Sequence, residues 1–272
     1  MSRGTVKINY VQEGGEAYRA DIVSGGSWKF LYEKSTVKSA DWNVGDRVAL
    51  PDGRVFVYAK SGSALYTGRG NYFQNAVPAT GIDYSVLPTA AALGAMSIQM
   101  TNQGTVAQTE DGLRGGTIIL KPASDSTDAE LQFRGIVGNS AGGVSDVITI
   151  YLDAPLTEAL TTSSYAFCMP NPYSDIRYGI TDGTKTFAGI AAVEITAASY
   201  YFWLQIKGRC WLAPQSGCGT TAFYRTVYWR HDGSVDLHSN IGTNVTDQIA
   251  GVILDNNGGA NGSTVISLQC DY

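Results

Sequence analysis

The segment from His231 to His238 combines the residue types that hydrolysis and metal binding use. It holds both histidines of the chain, two aspartates and a serine within eight residues. A Ser-His-Asp triad, however, is assembled from separate elements around an oxyanion hole, which one short segment does not provide. The spacing of His231, Asp236 and His238 matches no familiar zinc pattern. We interpret the segment as a hairpin with Asp232-Gly233 as its turn, and keep a metal site as the alternative.

Thiol chemistry would depend on four cysteines, Cys168, Cys210, Cys218 and Cys270. Cys210 and Cys218 flank Pro214, and a disulfide between them is geometrically possible. There is no Cys-x-x-Cys pair, which argues against structural zinc. The polar N-terminus lacks the apolar stretch of a secretory signal, so we expect folding in a cytoplasm and reduced thiols. Small buried thiols are the simpler interpretation, and the disulfide stays open.

The aromatic run Tyr200-Tyr201-Phe202-Trp203 opens the strongest strand pattern in the chain. Alternation places Tyr200 and Phe202 on one face and Tyr201 and Trp203 on the other. Both faces are then large and apolar, so we expect a core on one side and a neighbouring sheet or subunit on the other. A sugar-stacking platform that includes the nearby Trp211 is the alternative.

Composition excludes several classes of function. The 272 residues carry a net charge of −5, and only 16% of them are charged. Extensive phosphate neutralisation by a basic patch is therefore not expected, and nucleic acid is not a predicted partner. No apolar stretch is long enough for a membrane-spanning helix, and no glycine-rich loop ends in the Gly-Lys-Ser/Thr of a phosphate site. A membrane is therefore not a predicted partner either.

The elements that must position these residues are strands. Hydrophobic alternation has a period of two nearly everywhere, as in Val147–Leu152 and Thr264–Leu268, and helix-like segments are scarce. Turn pairs such as Asp52-Gly53 and Asp232-Gly233 separate the runs. We predict an all-β protein with small β-sandwich or β-barrel modules behind an extended N-terminal arm.

Four blocks follow from the positions of glycine, proline and the strand runs. Residues 1–30 are polar and glycine-broken and form the arm. Residues 31–85 hold a compact hairpin pattern over 45–60, and residues 86–168 form a β module. Residues 169–272 form a β-sandwich or β-barrel module, which begins where Pro170 and Pro172 interrupt the β pattern.

Several segments, in this order, resemble a known set of proteins. They are Leu50–Lys60, Ala90–Ala95 followed by Gly115–Leu120, Asp146–Leu156, and Ala188–Gly208. The first resembles a "DGR-hydrophobic-F-x-YA" hairpin, and the last is the most specific. The set is tailed-bacteriophage virion structural proteins of the capsid decoration (cement) or head-fibre-like kind. The resemblance covers residues of about 45 to 270.

The resemblance implies a non-enzymatic protein with no catalytic residue, cofactor or metal. It implies a position on the outer capsid surface of the virion after synthesis in the host cytoplasm. The implied partners are the major capsid protein and further copies of the chain, with a homotrimer as the expected assembly. The alternative is a tail fibre or receptor-binding module that recognises host glycan. A polysaccharide hydrolase is a third possibility.

Assembly would use large apolar side chains, because a chain with so few charges has an apolar excess to cover. Trp28, Phe30 and Tyr32 stand where the arm ends, and Tyr201 and Trp203 share one face of the aromatic strand. We predict these five as the assembly interface. An ordinary place in the core is the alternative for each of them.

Overall fold

Strands dominate the part of the chain that a computed structural model describes. The structure describes residues 8–13, 16–21, 28–74, 85–104, 106–122, 131–179, 185–215, 218, 225–237, 245–256 and 264–270. Of the described residues, 49% are in strands and 4% in helices, and two curled antiparallel sheets form half-barrels. The all-β prediction is therefore confirmed.

A twelve-stranded sheet forms the first unit, which comprises residues 1–74 and 173–272. Its main path runs β1-β2-β3-β4-β14-β18-β17-β15-β16, and β13, β5 and β12 extend from β14. The strands are β1 (Ile8–Glu13), β2 (Glu16–Asp21), β3 (Arg47–Ala49), β4 (Val55–Lys60), β5 (Gly70–Phe73), β12 (Ile176–Arg177), β13 (Phe187–Ala191), β14 (Tyr201–Trp211), β15 (Thr226–Arg230), β16 (Val235–Leu237), β17 (Val245–Asn256) and β18 (Thr264–Gln269).

A six-stranded sheet forms the second unit, residues 75–172. Its order is β6-β11-β8-β9-β10-β7, and every pairing is antiparallel. The strands are β6 (Ser85–Val86), β7 (Ser97–Thr101), β8 (Thr117–Lys121), β9 (Gln132–Asn139), β10 (Val147–Leu152) and β11 (Tyr165–Met169). Ile118, Leu120, Ile148 and Ile150 alternate inward and are fully buried, which makes one face of this sheet a core.

The unit boundaries differ from the predicted blocks. The sequence analysis separated residues 31–85 from 169–272, but β4 pairs with β14 along most of its length, from Val55 to Lys60. That pairing joins the two blocks in one sheet, with residues 75–172 as the other unit. In the predicted arm, β1 and β2 pair as a hairpin, and Arg19 of β2 pairs with Val48 of β3.

Two predicted Asp-Gly turns are present. Gly53 has φ of +85° between β3 and β4, and Gly233 has φ of +73° between β15 and β16. A left-handed backbone of this kind favours glycine because it has no Cβ. Two short 3-10 helices, Trp28–Tyr32 and Pro172–Ser174, are the helices of the described residues.

Candidate functional site

Four of the five predicted assembly residues meet in one cluster. We call it the aromatic cluster; its members are Trp28, Phe30, Trp42, Tyr58, Tyr201 and Trp203. The Phe30 and Trp42 rings stack with centroids 5.9 Å apart. Trp42 meets Trp203 edge to face at 4.9 Å. Such arrangements match the quadrupoles of the rings and add to the free energy gained by burial.

Pairing of β4 with β14 positions the cluster. Tyr58 lies opposite Trp203, and both point to the face that carries Tyr201. Phe202 and Leu204 point to the opposite face, into the main core. Both faces thus carry buried side chains, but the expected cover of the aromatic face by a neighbouring sheet or subunit is wrong. The cover of the aromatic face is the chain's own segment 28–50, anchored by the fully buried Leu31 of the 3-10 helix.

The predicted assembly interface must be corrected at Trp203. Its side chain is 2% exposed, because the segment 28–50 packs over it, so it has almost no surface for a partner. Trp28, Phe30 and Tyr201 are half-buried. Tyr32 is 49% exposed, and its hydroxyl accepts a hydrogen bond from Nη1 of Arg54 at 3.0 Å. An assembly role for these four stays a prediction, limited to their outer edges.

The predicted hairpin with Asp232-Gly233 as its turn is present between β15 and β16. The carboxylates of Asp232 and Asp236 form ion pairs with arginines. Asp236 is nearly buried and pairs with Nη1 of Arg230 at 3.0 Å. Burial alone would raise the pKa of Asp232, but hydrogen bonds from Ser234 and the charge of Arg69 outweigh it and hold that pKa below its usual value. Within the described residues, no group of three or more His, Cys, Asp or Glu could hold a metal. His238 lies outside the described residues.

The cysteines are reduced thiols with suppressed reactivity. Burial raises the pKa of Cys168, Cys210 and Cys270 to about 12. Burial and the charge of Asp236 raise the pKa of Cys218 to about 11. The thiolate is the nucleophilic form, and at neutral pH these groups are almost entirely protonated.

The second unit exposes an apolar sheet face that the sequence analysis missed. Phe167, Ile119 and Phe133 lie directly opposite one another on β11, β8 and β9 and form a row across three strands. Alternation turns this row away from the buried Ile118 and Leu120. We call this surface the outward face; its strongly exposed apolar side chains are Val86, Leu131, Phe133, Val137, Val147 and Tyr151.

The outward face is comparable in size to the largest apolar patch of an ordinary monomer, which is often functional. Phe133 is 58% exposed, and the six side chains present roughly 500 Å² of apolar area, within the range of the largest patches that monomers expose. Among the outward positions of the six described strands, Lys121 is the charged one. The sequence signal was the alternation Tyr165-Ala166-Phe167-Cys168-Met169, in which both faces carry apolar side chains. An open face of an antiparallel sheet is ordinarily polar.

Comparison with known proteins gives no relative. No family model, no curated protein and no solved structure matches the chain. Among the described residues, no helix has the length and apolar character needed to cross a bilayer.

Proposed function

We propose that this chain is a non-enzymatic structural protein of a bacteriophage particle that binds the outer capsid surface and stabilises the head. The observation that carries the proposal is the outward face of the six-stranded sheet. A surface of this size and apolar character favours a partner. The four segments that resemble decoration proteins indicate which kind of particle supplies that partner.

The properties of the outward face suit a capsid shell. A standard protein interface buries about 800 Å² on each side, of which more than half is apolar, so roughly 500 Å² of apolar area fits one such contact. Lys121 is the charged outward strand position, and the carboxylate of Asp153 lies against Gly135 of β9, so binding has to desolvate both groups. We therefore assign the outward face to the major capsid protein.

Self-association would strengthen the contact. In the expected homotrimer, three outward faces would meet one shell, and weak contacts that engage together add as avidity. The outer edges of Trp28, Phe30, Tyr32 and Tyr201 remain the predicted contacts between copies.

The direct test is quantitative mass spectrometry of purified particles of the encoding virus, scaled to the major capsid protein. We expect on the order of hundreds of copies per particle, because avidity on a shell requires many repeated sites. A handful of copies would assign the chain to the tail, and its absence from the particle would overturn the proposal.

A second test uses shells stripped of the protein and then incubated with purified variants. Phe133→Asp places a charge in the centre of the outward face and should reduce shell binding at least about tenfold, because the carboxylate must lose its water. Leu93→Asp is the matched control, since Leu93 is 66% exposed in the same unit but lies outside the strands. Equal binding by both variants would contradict the assignment of the face.

A further inference from the structure

Trp211, at the end of β14, is held as a fixed aromatic surface. The edge of its ring at Cε3 and Cζ3 packs against Gly68, where any Cβ would overlap these ring atoms. Gly68 also has φ of +71°, so the backbone favours glycine at this position for a second reason. The side chain remains 48% exposed. The backbone therefore fixes one edge of the indole while about half of the side chain faces solvent, and little conformational entropy is lost when a ligand stacks on it.

Polar groups lie on backbone segments next to Trp211, since the N–H of Ala213 donates to the Gly68 carbonyl at 2.9 Å and the N–H of Gly70 to the Gly233 carbonyl at 2.7 Å. Arg69 follows Gly68 directly, and its Nη1 donates hydrogen bonds to the backbone oxygen of Asp232 at 3.0 Å and to its carboxylate at 3.2 Å. The Tyr178 hydroxyl donates to the same backbone oxygen at 3.1 Å. The side chains of Arg69 and Asp232 are 36% and 45% exposed, so both retain open hydrogen-bonding capacity.

A second exposed ring completes the surface. Tyr66 is 47% exposed and meets Tyr178 edge to face, with centroids 4.8 Å apart. Because Tyr66 and Gly68 are two residues apart, their Cα atoms lie within about 7 Å of each other. The ring contact of Tyr66 with Tyr178, the hydrogen bond from Tyr178 and the ion pair thus link Tyr66 to Arg69, the residue that follows Gly68. We call this surface the aromatic strip; it comprises Tyr66, Arg69, Tyr178, Trp211 and Asp232.

Most charges near the strip are paired. Arg69 pairs with Asp232, and Arg230 pairs with Asp236 at 3.0 Å. The exposed Arg209 lies two residues before Trp211 on the same face of β14 and adds one positive charge. Strips that bind single-stranded nucleic acid combine stacking rings with a positively charged groove, and a single added arginine among paired charges argues against that class.

We propose that the aromatic strip binds a neutral oligosaccharide. A pyranose ring has an apolar C–H face and hydroxyls around its edge. The C–H face stacks on the open side of Trp211, and the hydroxyls bond to Arg69 and Asp232. Tyr66 provides contact area for a second sugar unit. This inference stands apart from capsid binding, because it uses the first unit and none of the outward face.

The experiment is a binding screen with the intact chain. Immobilised neutral oligosaccharides of hexose and N-acetylhexosamine are the probes, with sialyllactose, heparin and oligo-dT as charged comparisons. The strongest neutral probe is then titrated in solution by tryptophan fluorescence and calorimetry. We expect a Kd of about 0.1–1 mM, the ordinary range for a shallow surface. No neutral probe binding at about 10 mM, or preferred binding of a charged probe, would overturn the proposal.

Variants assign the binding to the strip. Trp211→Ala should weaken the affinity at least about tenfold, because it removes the stacking surface. Arg69→Gln should weaken it about threefold or more while the ring stays in place. Leu93→Ala is the control, because Leu93 is exposed (66%) but belongs to the other unit and lies outside its strands.

Folding of each variant is checked by thermal unfolding. If Trp211→Ala does not fold, Trp211→Phe replaces it. We expect this variant to bind the sugar more weakly than the wild type, because the phenyl ring offers a smaller stacking surface than the indole. A folded variant at Trp211 that binds like the wild type would show that the sugar sits elsewhere.

Discussion

Two sheet faces in this protein carry large apolar side chains, and they differ in what covers them. The aromatic face of β14 lies beneath segment 28–50, and Trp203 is 2% exposed there. The outward face of the six-stranded sheet leaves Phe133 58% exposed. Similar alternation patterns thus end in different environments. The local pattern determines that a face is apolar, whereas a covering segment elsewhere in the chain determines whether it is buried.

The largest effect is expected at the covered face. Trp203→Ala removes a buried indole from contact with Phe30, Trp42 and Tyr58. It should lower the free energy of unfolding by about 3–5 kcal/mol, as measured by urea denaturation. Trp203→Phe should lower the free energy of unfolding by a smaller amount, and it replaces the alanine variant if that variant does not fold. A cost below about 1 kcal/mol would mean that segment 28–50 does not cover this face in solution.

Cysteine labelling compares the buried cores of the two units. Cys168 lies in the core of the second unit and Cys270 in that of the first, both with a pKa of about 12. At pH 8 the thiolate fraction is far smaller than that of an unfolded cysteine with a pKa of about 8.5. Iodoacetamide should therefore label the native protein at least about a hundredfold more slowly than the protein in urea. Fast labelling of Cys168 alone would show that the core of the second unit is open.

A smaller, pH-dependent effect is expected at Asp232. Its native pKa lies below the usual value, so the carboxylate stabilises the fold above about pH 4, and this contribution is lost as pH falls through the native pKa. Asp232→Asn should lower the free energy of unfolding by about 0.5–1 kcal/mol at pH 7 and by almost nothing near pH 2. The exposed Glu110→Gln, in the other unit, is the control. An equal loss at both pH values would assign the effect to packing instead of charge.

The smallest effect on stability is expected at the outward face. Phe133→Asp should change the free energy of unfolding of the isolated chain by no more than about 0.5 kcal/mol, because the side chain is already largely in water. Urea denaturation alongside the Trp203 variants measures this. A cost comparable to that of Trp203→Ala would remove the contrast between the two faces and show that the outward face is covered within the chain.

Sequence patterns predict what is local in this fold. They predict the all-β class, the turns at Gly53 and Gly233, and the division of Phe202 and Trp203 between two faces, because backbone stereochemistry and alternation decide these features within a few residues.

The missed features depend on pairing between distant segments. Segment 28–50 covers Trp203 through a five-residue 3-10 helix, which is too short to give a periodic pattern. The row of Phe167, Ile119 and Phe133 exists because three strands pair in one register. A shift of one residue in any strand would turn its side chain inward, and no single segment encodes that register.

Residues 75–172 separate the two parts of the first unit in the sequence, so the ribosome synthesises its paired strands far apart in time. Val57 of β4 pairs with Leu204 of β14, so the ribosome must add 147 residues before the partner strand exists. At ordinary elongation rates this takes on the order of ten seconds, whereas residues 75–172 emerge as one uninterrupted stretch. The second unit can therefore fold while β4 still lacks its partner. During that interval the hydrogen-bonding groups of β4 that later meet β14 are open to other chains. The nascent chain, more than the finished protein, is thus the form most exposed to misassembly.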